Sequence, residues 1–117
     1  RYPDVFGRAG VFSCSCWAAR PSVYTFARRA RPARPPARFY FVVGGREAPG
    51  GGPARDQAEM VRTLRAAGFA ADAIRAREVP DGTHTEGFWR REFPAAYAWL
   101  MAAPGADAGG RDGVPRP

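Results

Sequence analysis

The chain has no lysine; all eighteen of its basic residues are arginine. It has a single histidine, His84, and only two cysteines, Cys14 and Cys16, too few for a disulfide framework or a cysteine-rich zinc site. No stretch approaches the roughly 20 consecutive apolar residues of a membrane span. The N-terminus, Arg1-Tyr2-Pro3-Asp4, lacks the basic, apolar and small-residue order of a signal peptide. With no methionine, it begins as though inside a domain, which favours a fragment; with no leader in view, a cytoplasmic location is expected. Gly-x-Ser-x-Gly, the turn that carries a nucleophilic serine on an α/β scaffold, is missing as well.

The formal charge of +7 raises the question of a polyanion partner. An excess of arginine over lysine beside abundant Ala, Gly and Pro is what a GC-rich coding sequence produces without selection for nucleic acid. The densest run, Arg28 to Arg38, holds no aromatic residue to stack on bases, and its prolines make it a stiff, solvated connector. Neither nucleic acid nor a membrane is expected as a partner. Cys14 and Cys16 lie two apart in a strand-like run. They would then share one face, poorly placed for an unstrained disulfide, so buried inert thiols are expected.

What is present is 117 residues with 45% hydrophobic content, enough for one small core. Residues 1–7 read as the end of a helix and its turn. Arg8 to Cys14 reads as a short strand. A helix is expected from about Pro21-Ser22 to Ala30, with Val23, Phe26 and Ala27 at helical spacing. Phe39-Tyr40-Phe41-Val42-Val43 is the clearest strand, apolar throughout, as a strand covered on both faces should be. After a Gly/Pro-rich loop, Pro53 opens a helix. Asp56 and Glu59 suit its positive end, Met60, Val61, Leu64 and Ala67 form its stripe, and Gly68 stops it.

Ala73 to Val79 is a weaker strand. Glu86 to Met101 is helical in pattern, with Trp89, Phe93, Ala96, Tyr97 and Leu100 on one face and a break or restart expected at Pro94. Residues 103–117 carry Pro, Gly and charge without periodicity, so a disordered tail is expected there. The order β-α-β-α-β-α implies parallel strands and right-handed crossovers, with an unpaired edge on the first strand. The expected fold class is therefore α/β, a three-layer sandwich fragment occupying residues 1–102.

His84 follows a strand and precedes a helix, where an α/β enzyme presents an imidazole to solvent. Its ordinary pKa lets it exchange protons near neutrality. On position alone it is more often a surface loop residue without duty.

Three stretches, taken in order, resemble the C-terminal part of α/β-hydrolase superfamily esterases, in particular the enterochelin-esterase-like and feruloyl-esterase-like group. Arg1-Tyr2-Pro3-Asp4-Val5-Phe6-Gly7, then Ala9-Gly10-Val11-Phe12-Ser13 and Trp17, is similar to the passage that follows the nucleophile's helix. Phe39 to Glu47 is similar to the penultimate strand and the turn that delivers the triad acid. Gly82-Thr83-His84 with Trp89 is similar to the histidine loop. The likeness spans Arg1 to about Met101.

It implies a serine hydrolase that cleaves small carboxylic esters through an acyl-enzyme, with no cofactor and no metal. His84 would be the general base and acid, Glu47 the orienting carboxylate, and Trp17 a residue lining the substrate pocket. The nucleophilic serine and the oxyanion loop are not in this sequence, so the chain alone is expected to be inactive.

Glu47 stands where this group often has Asp, and Asp56 competes for the role. Ser13-Cys14-Ser15-Cys16 also departs from the pattern. Trp17 and Trp89 read equally well as packing residues, Trp89 as the one that seats the His84 loop. Asp81 is most simply a turn residue before Gly82. Neither Ser13 nor Ser15 has the following glycine of a nucleophile turn. The alternatives are a non-catalytic α/β binding or relic module and, further off, a basic nucleic-acid-associated protein.

Overall fold

The computed structural model describes residues 2, 5–32, 34 and 36–103. Three strands, β1 (Arg8–Phe12), β2 (Arg38–Gly44) and β3 (Ile74–Val79), form one sheet in the order β1-β2-β3. All pairs are parallel, with Phe12 opposite Val42 and Gly44 opposite Val79. Helices α1 (Ser22–Arg29), α2 (Gly52–Ala66) and α3 (Glu86–Met101) follow the strands in turn. The expected α/β order of elements is what the chain adopts.

Strand β2 lies between the other two and is buried from Tyr40 to Gly44, with apolar side chains packed on both faces. Phe41 packs with Tyr24 and Ala27 of α1, Met60, Val61 and Leu64 of α2, and Ile74. Tyr40 and Val42, on the opposite face by the two-residue period of a strand, pack with Val79 and with Phe88, Ala96 and Trp99 of α3. Thus α1 and α2 cover one face and α3 the other, giving three layers. Strand β3 lies at an edge and exposes Arg75, Arg77 and Glu78, charges that discourage further pairing. Gln57 of α2 donates to the carbonyl of Arg77 at 3.0 Å, fastening that helix to β3.

Several expectations are corrected. Helix α3 is not broken at Pro94, which lies inside a continuous Glu86–Met101 helix. Its buried residues are Phe88, Glu92, Ala96 and Trp99, while Phe93 and Tyr97 are each 55% exposed. The buried stripe is thus rotated from the expected one. Glu92 can sit in it because Arg77 and Arg91 both pair with its carboxylate, at 2.9 and 3.2 Å. Strand β1 ends at Phe12, two residues short, and β3 begins at Ile74 after a 3-10 turn over Ala71–Ala73.

Cys14 and Cys16 are joined by a disulfide rather than being free thiols. The extended geometry assumed for them does not hold. Ser15, between them, takes φ −80° and ψ 44°, a 3-10 helix starts at Cys16, and the two Cα atoms stand 5.2 Å apart. At the N-terminus, the amides of Val5 and Phe6 both donate to the Tyr2 carbonyl, forming a turn; Arg1, Pro3 and Asp4 lie outside the described residues. The expected disorder of the tail falls, beyond Ala103, outside the described residues too. No helix among the described residues is long and apolar enough to cross a membrane.

Candidate active site

Parallel strands bring all their C-terminal ends to one rim of the sheet, and ligands of open α/β sheets bind outside that rim. Three residues converge there from three successive loops: Ser13 after β1, Glu47 after β2 and His84 after β3.

Ser13 extends the β1–β2 ladder by one bond, donating its amide to the Val42 carbonyl at 2.8 Å. The chain then turns away through the positive φ of Ser13, a conformation uncommon for a residue with a Cβ. Glu47 closes the turn after β2. Its amide reaches back to the Gly44 carbonyl, and its Oε1 accepts the Gly44 N–H at 2.6 Å. A free amide at the strand end is thus satisfied by a carboxylate three residues on.

His84 is held by the start of α3. Thr85 is the N-cap, its hydroxyl accepting the Phe88 N–H. His84 therefore occupies the position before the cap and Trp89 the fourth helical position, the two places a hydrophobic staple brings together. The imidazole and indole meet edge to face, centroids 5.1 Å apart. Asp81 is a turn residue, as expected, and also accepts two bonds from Arg91, at 2.8 and 3.0 Å. That guanidinium holds the Asp81 carboxyl below the ordinary carboxylate range.

The imidazole Nδ1 lies 3.1 Å from Glu47 Oε2, within hydrogen-bond reach. The Glu47 side chain is 1% exposed and the His84 side chain 52% exposed. The acid is thus buried and the base half open, with imidazole Nε2 unpartnered among the described residues. Such a pair can fix one tautomer and offer the other nitrogen to a proton in solvent or substrate.

Asp56, the competing acid, is engaged elsewhere: with Glu59 it accepts from Arg20, at 2.6 and 2.7 Å, across α2. Trp17 lies in the turn after β1 and is 66% exposed, so it is not a core residue. No contact brings it to His84 or Glu47. Instead, Trp89 lines an open cleft of about 380 Å³ with Phe12, Arg90 and Phe93. Sequence reasoning missed that cleft because Phe93 was assigned to the buried stripe of α3. It also missed the partnership of Ser13, whose Oγ donates to Glu47 Oε1 at 2.6 Å and accepts from Trp89 Nε1 at 2.7 Å. Nothing in the spacing of residues 13, 47 and 89 signals it. No grouping of three or more His, Cys, Asp or Glu side chains suited to a metal ion occurs among the described residues.

No family model matches the chain, and neither does any curated protein or solved structure.

Proposed function

We propose that this chain carries the acid–histidine arm of an α/β-hydrolase that cleaves small carboxylic esters through an acyl-enzyme. One observation carries the reading: a buried carboxylate after one parallel strand holds Nδ1 of a half-exposed histidine after the next, at the strands' C-terminal rim. The resemblance of the histidine and acid loops to the esterase group agrees with that placement. The serine would come from outside these 117 residues, since the sequence holds no Gly-x-Ser-x-Gly turn.

In this scheme His84 Nε2 takes the serine hydroxyl proton as Oγ attacks the ester carbonyl. It then gives that proton to the departing alcohol, leaving an acyl-serine. A water attacks the acyl-serine in the same way, and the carboxylic acid leaves. Glu47 stays a carboxylate throughout, holding the ring and stabilising the imidazolium. The Phe12–Trp89–Phe93 cleft, which shares Trp89 with the histidine, is suited to an apolar part of the ester. No cofactor, metal, nucleic acid or membrane enters the scheme.

The experiment treats the 117-residue chain, and a longer native protein that contains it, with a p-nitrophenyl ester and a fluorophosphonate probe. The short chain should neither turn over nor label. The longer protein should label at a serine in a Gly-x-Ser-x-Gly turn, and His84→Ala should lower its turnover by about 10²–10⁴-fold. Serine labelling of the short chain would refute the assignment of the nucleophile to another segment. A longer protein whose chemistry ignores His84→Ala would leave a non-catalytic module.

A further inference from the structure

We infer that Ser13 and Trp89 are positioning residues that hold Glu47 in the one orientation that locks the His84 tautomer. The inference rests on the acid–histidine reading above and names what keeps that pair in register.

The argument is one of donors and acceptors. Indole Nε1–H can only donate, so at the 2.7 Å contact Ser13 Oγ must be the acceptor. The hydroxyl has one proton of its own, and the other short contact of Oγ is Glu47 Oε1 at 2.6 Å. The proton must therefore point at the carboxylate. Trp89 thus settles the rotor of Ser13, and Ser13 in turn gives Oε1 its second donor beside the Gly44 N–H. With Oε1 held by two donors from two strand ends, Oε2 faces His84 Nδ1. A carboxylate oxygen there can only accept, so the ring carries its proton on Nδ1 and a lone pair on Nε2.

Two further features fit this role. Ser13 is buried, although its small polar side chain has no packing duty that Ala would not fill, and its backbone is held in the left-handed region. Strained, buried polar residues gather where geometry must be exact for function rather than for stability. Trp89 closes a ring of contacts, because its indole touches the imidazole that the chain Trp89–Ser13–Glu47 orients. The same arrangement explains why Ser13 is no nucleophile: its proton is committed to Glu47 and not to the histidine.

The test uses ring nitrogen-15 NMR on the 117-residue chain, where His84 is the only histidine and its signals need no assignment. Wild type should show the Nδ1–H tautomer and a downfield, slowly exchanging Nδ1–H proton. Ser13→Ala should lose that proton signal and shift the ring toward Nε2–H. Trp89→Phe, which keeps a ring beside the imidazole but drops the N–H, should move it the same way by less.

Ser13→Gly tolerates the positive φ, lacks the hydroxyl and decides the matter if Ser13→Ala does not fold. A folded Ser13→Ala or Ser13→Gly with the wild-type tautomer overturns the inference, even if its denaturation midpoint has moved. Wild-type protein in the Nε2–H form would instead defeat the acid–histidine reading itself, so the two failures are distinguishable.

Discussion

Gly44 and Gly82 touch backbone to backbone, and that contact sets the distance between the acid loop and the histidine loop. A Cβ on Gly82 would stand 2.7 Å from the Gly44 Cα and 2.6 Å from the Phe88 ring, while one on Gly44 would run into the Gly82 backbone. Flanking bonds hold the two loops at this range: Gly45 N–H to the Val79 carbonyl at 2.8 Å and Arg46 N–H to the Gly82 carbonyl at 2.9 Å. Two residues on from this pair, on one side, is His84; three on from the other is Glu47.

Gly82→Ala should therefore force the loops apart, at a cost of about 1–3 kcal/mol by analogy with overpacked cores. Urea denaturation reads the stability, and loss of the downfield His84 Nδ1–H signal reads the separation. A variant of unchanged stability with that signal intact would show that the two loops have room to spare.

Glu47→Gln changes one atom and reverses the polarity of the pair. Two donors, Ser13 Oγ–H and Gly44 N–H, meet the Oε1 position, so the amide carbonyl goes there and the NH₂ faces His84. Nδ1 must then accept, which places the proton on Nε2, the wrong nitrogen for a general base. On the proposed hydrolase reading, a protein that joins this chain to its serine should lose turnover by something on the order of 10⁴-fold, as when a triad carboxylate becomes an amide in a serine protease. Steady-state ester hydrolysis measures it.

Pro94→Ala should stabilise the chain. Pro94 lies exposed in the ninth position of α3, where it removes an N–H and crowds the carbonyl one turn back. Proline in a helix interior costs up to about 3 kcal/mol relative to alanine. Packing of Phe88, Ala96 and Trp99 against Tyr40 and Val42 offsets that cost in the wild type. A gain between zero and that figure is expected in urea denaturation; a loss would mean that the proline shapes the helix to fit the sheet.

Tyr24 gives the fold an alkaline limit. Burial raises its phenol above the ordinary value, outweighing the lowering effect of Arg20, whose guanidinium donates to the phenol oxygen at 3.2 Å. The folded pKa exceeds the unfolded one, so this contribution is complete below the unfolded value near 10 and is lost as pH rises through the folded value. Stability should decline in that window. Tyr24→Phe should remove that part of the decline, read as denaturation midpoint against pH.

Much of the architecture was legible in the residues themselves. The unbroken apolar run Phe39–Val43 needs cover on two faces, which the helices on either side of the sheet supply. Pro53 and Gly68 bracket α2 because one suits a first turn and the other takes the positive φ of a stop. The strand ending at Val79 and the helical pattern from Glu86 place the imidazole at a helix start. These are local or periodic effects, in which each residue acts on its own few neighbours.

Tertiary structure decided the rest. The side of α3 that is buried depended on Arg77 reaching Glu92 from another element. Glu47, and not Asp56, meets the His84 ring, and Arg20 holds Asp56 elsewhere. The bond between Cys14 and Cys16 depended on Ser15, the residue between them, leaving the extended conformation. The Trp89–Ser13–Glu47–His84 chain joins residues up to 76 positions apart, whose meeting no spacing records. Hydrogen bonds select partners by position in space, and position in space exists only once the sheet has assembled.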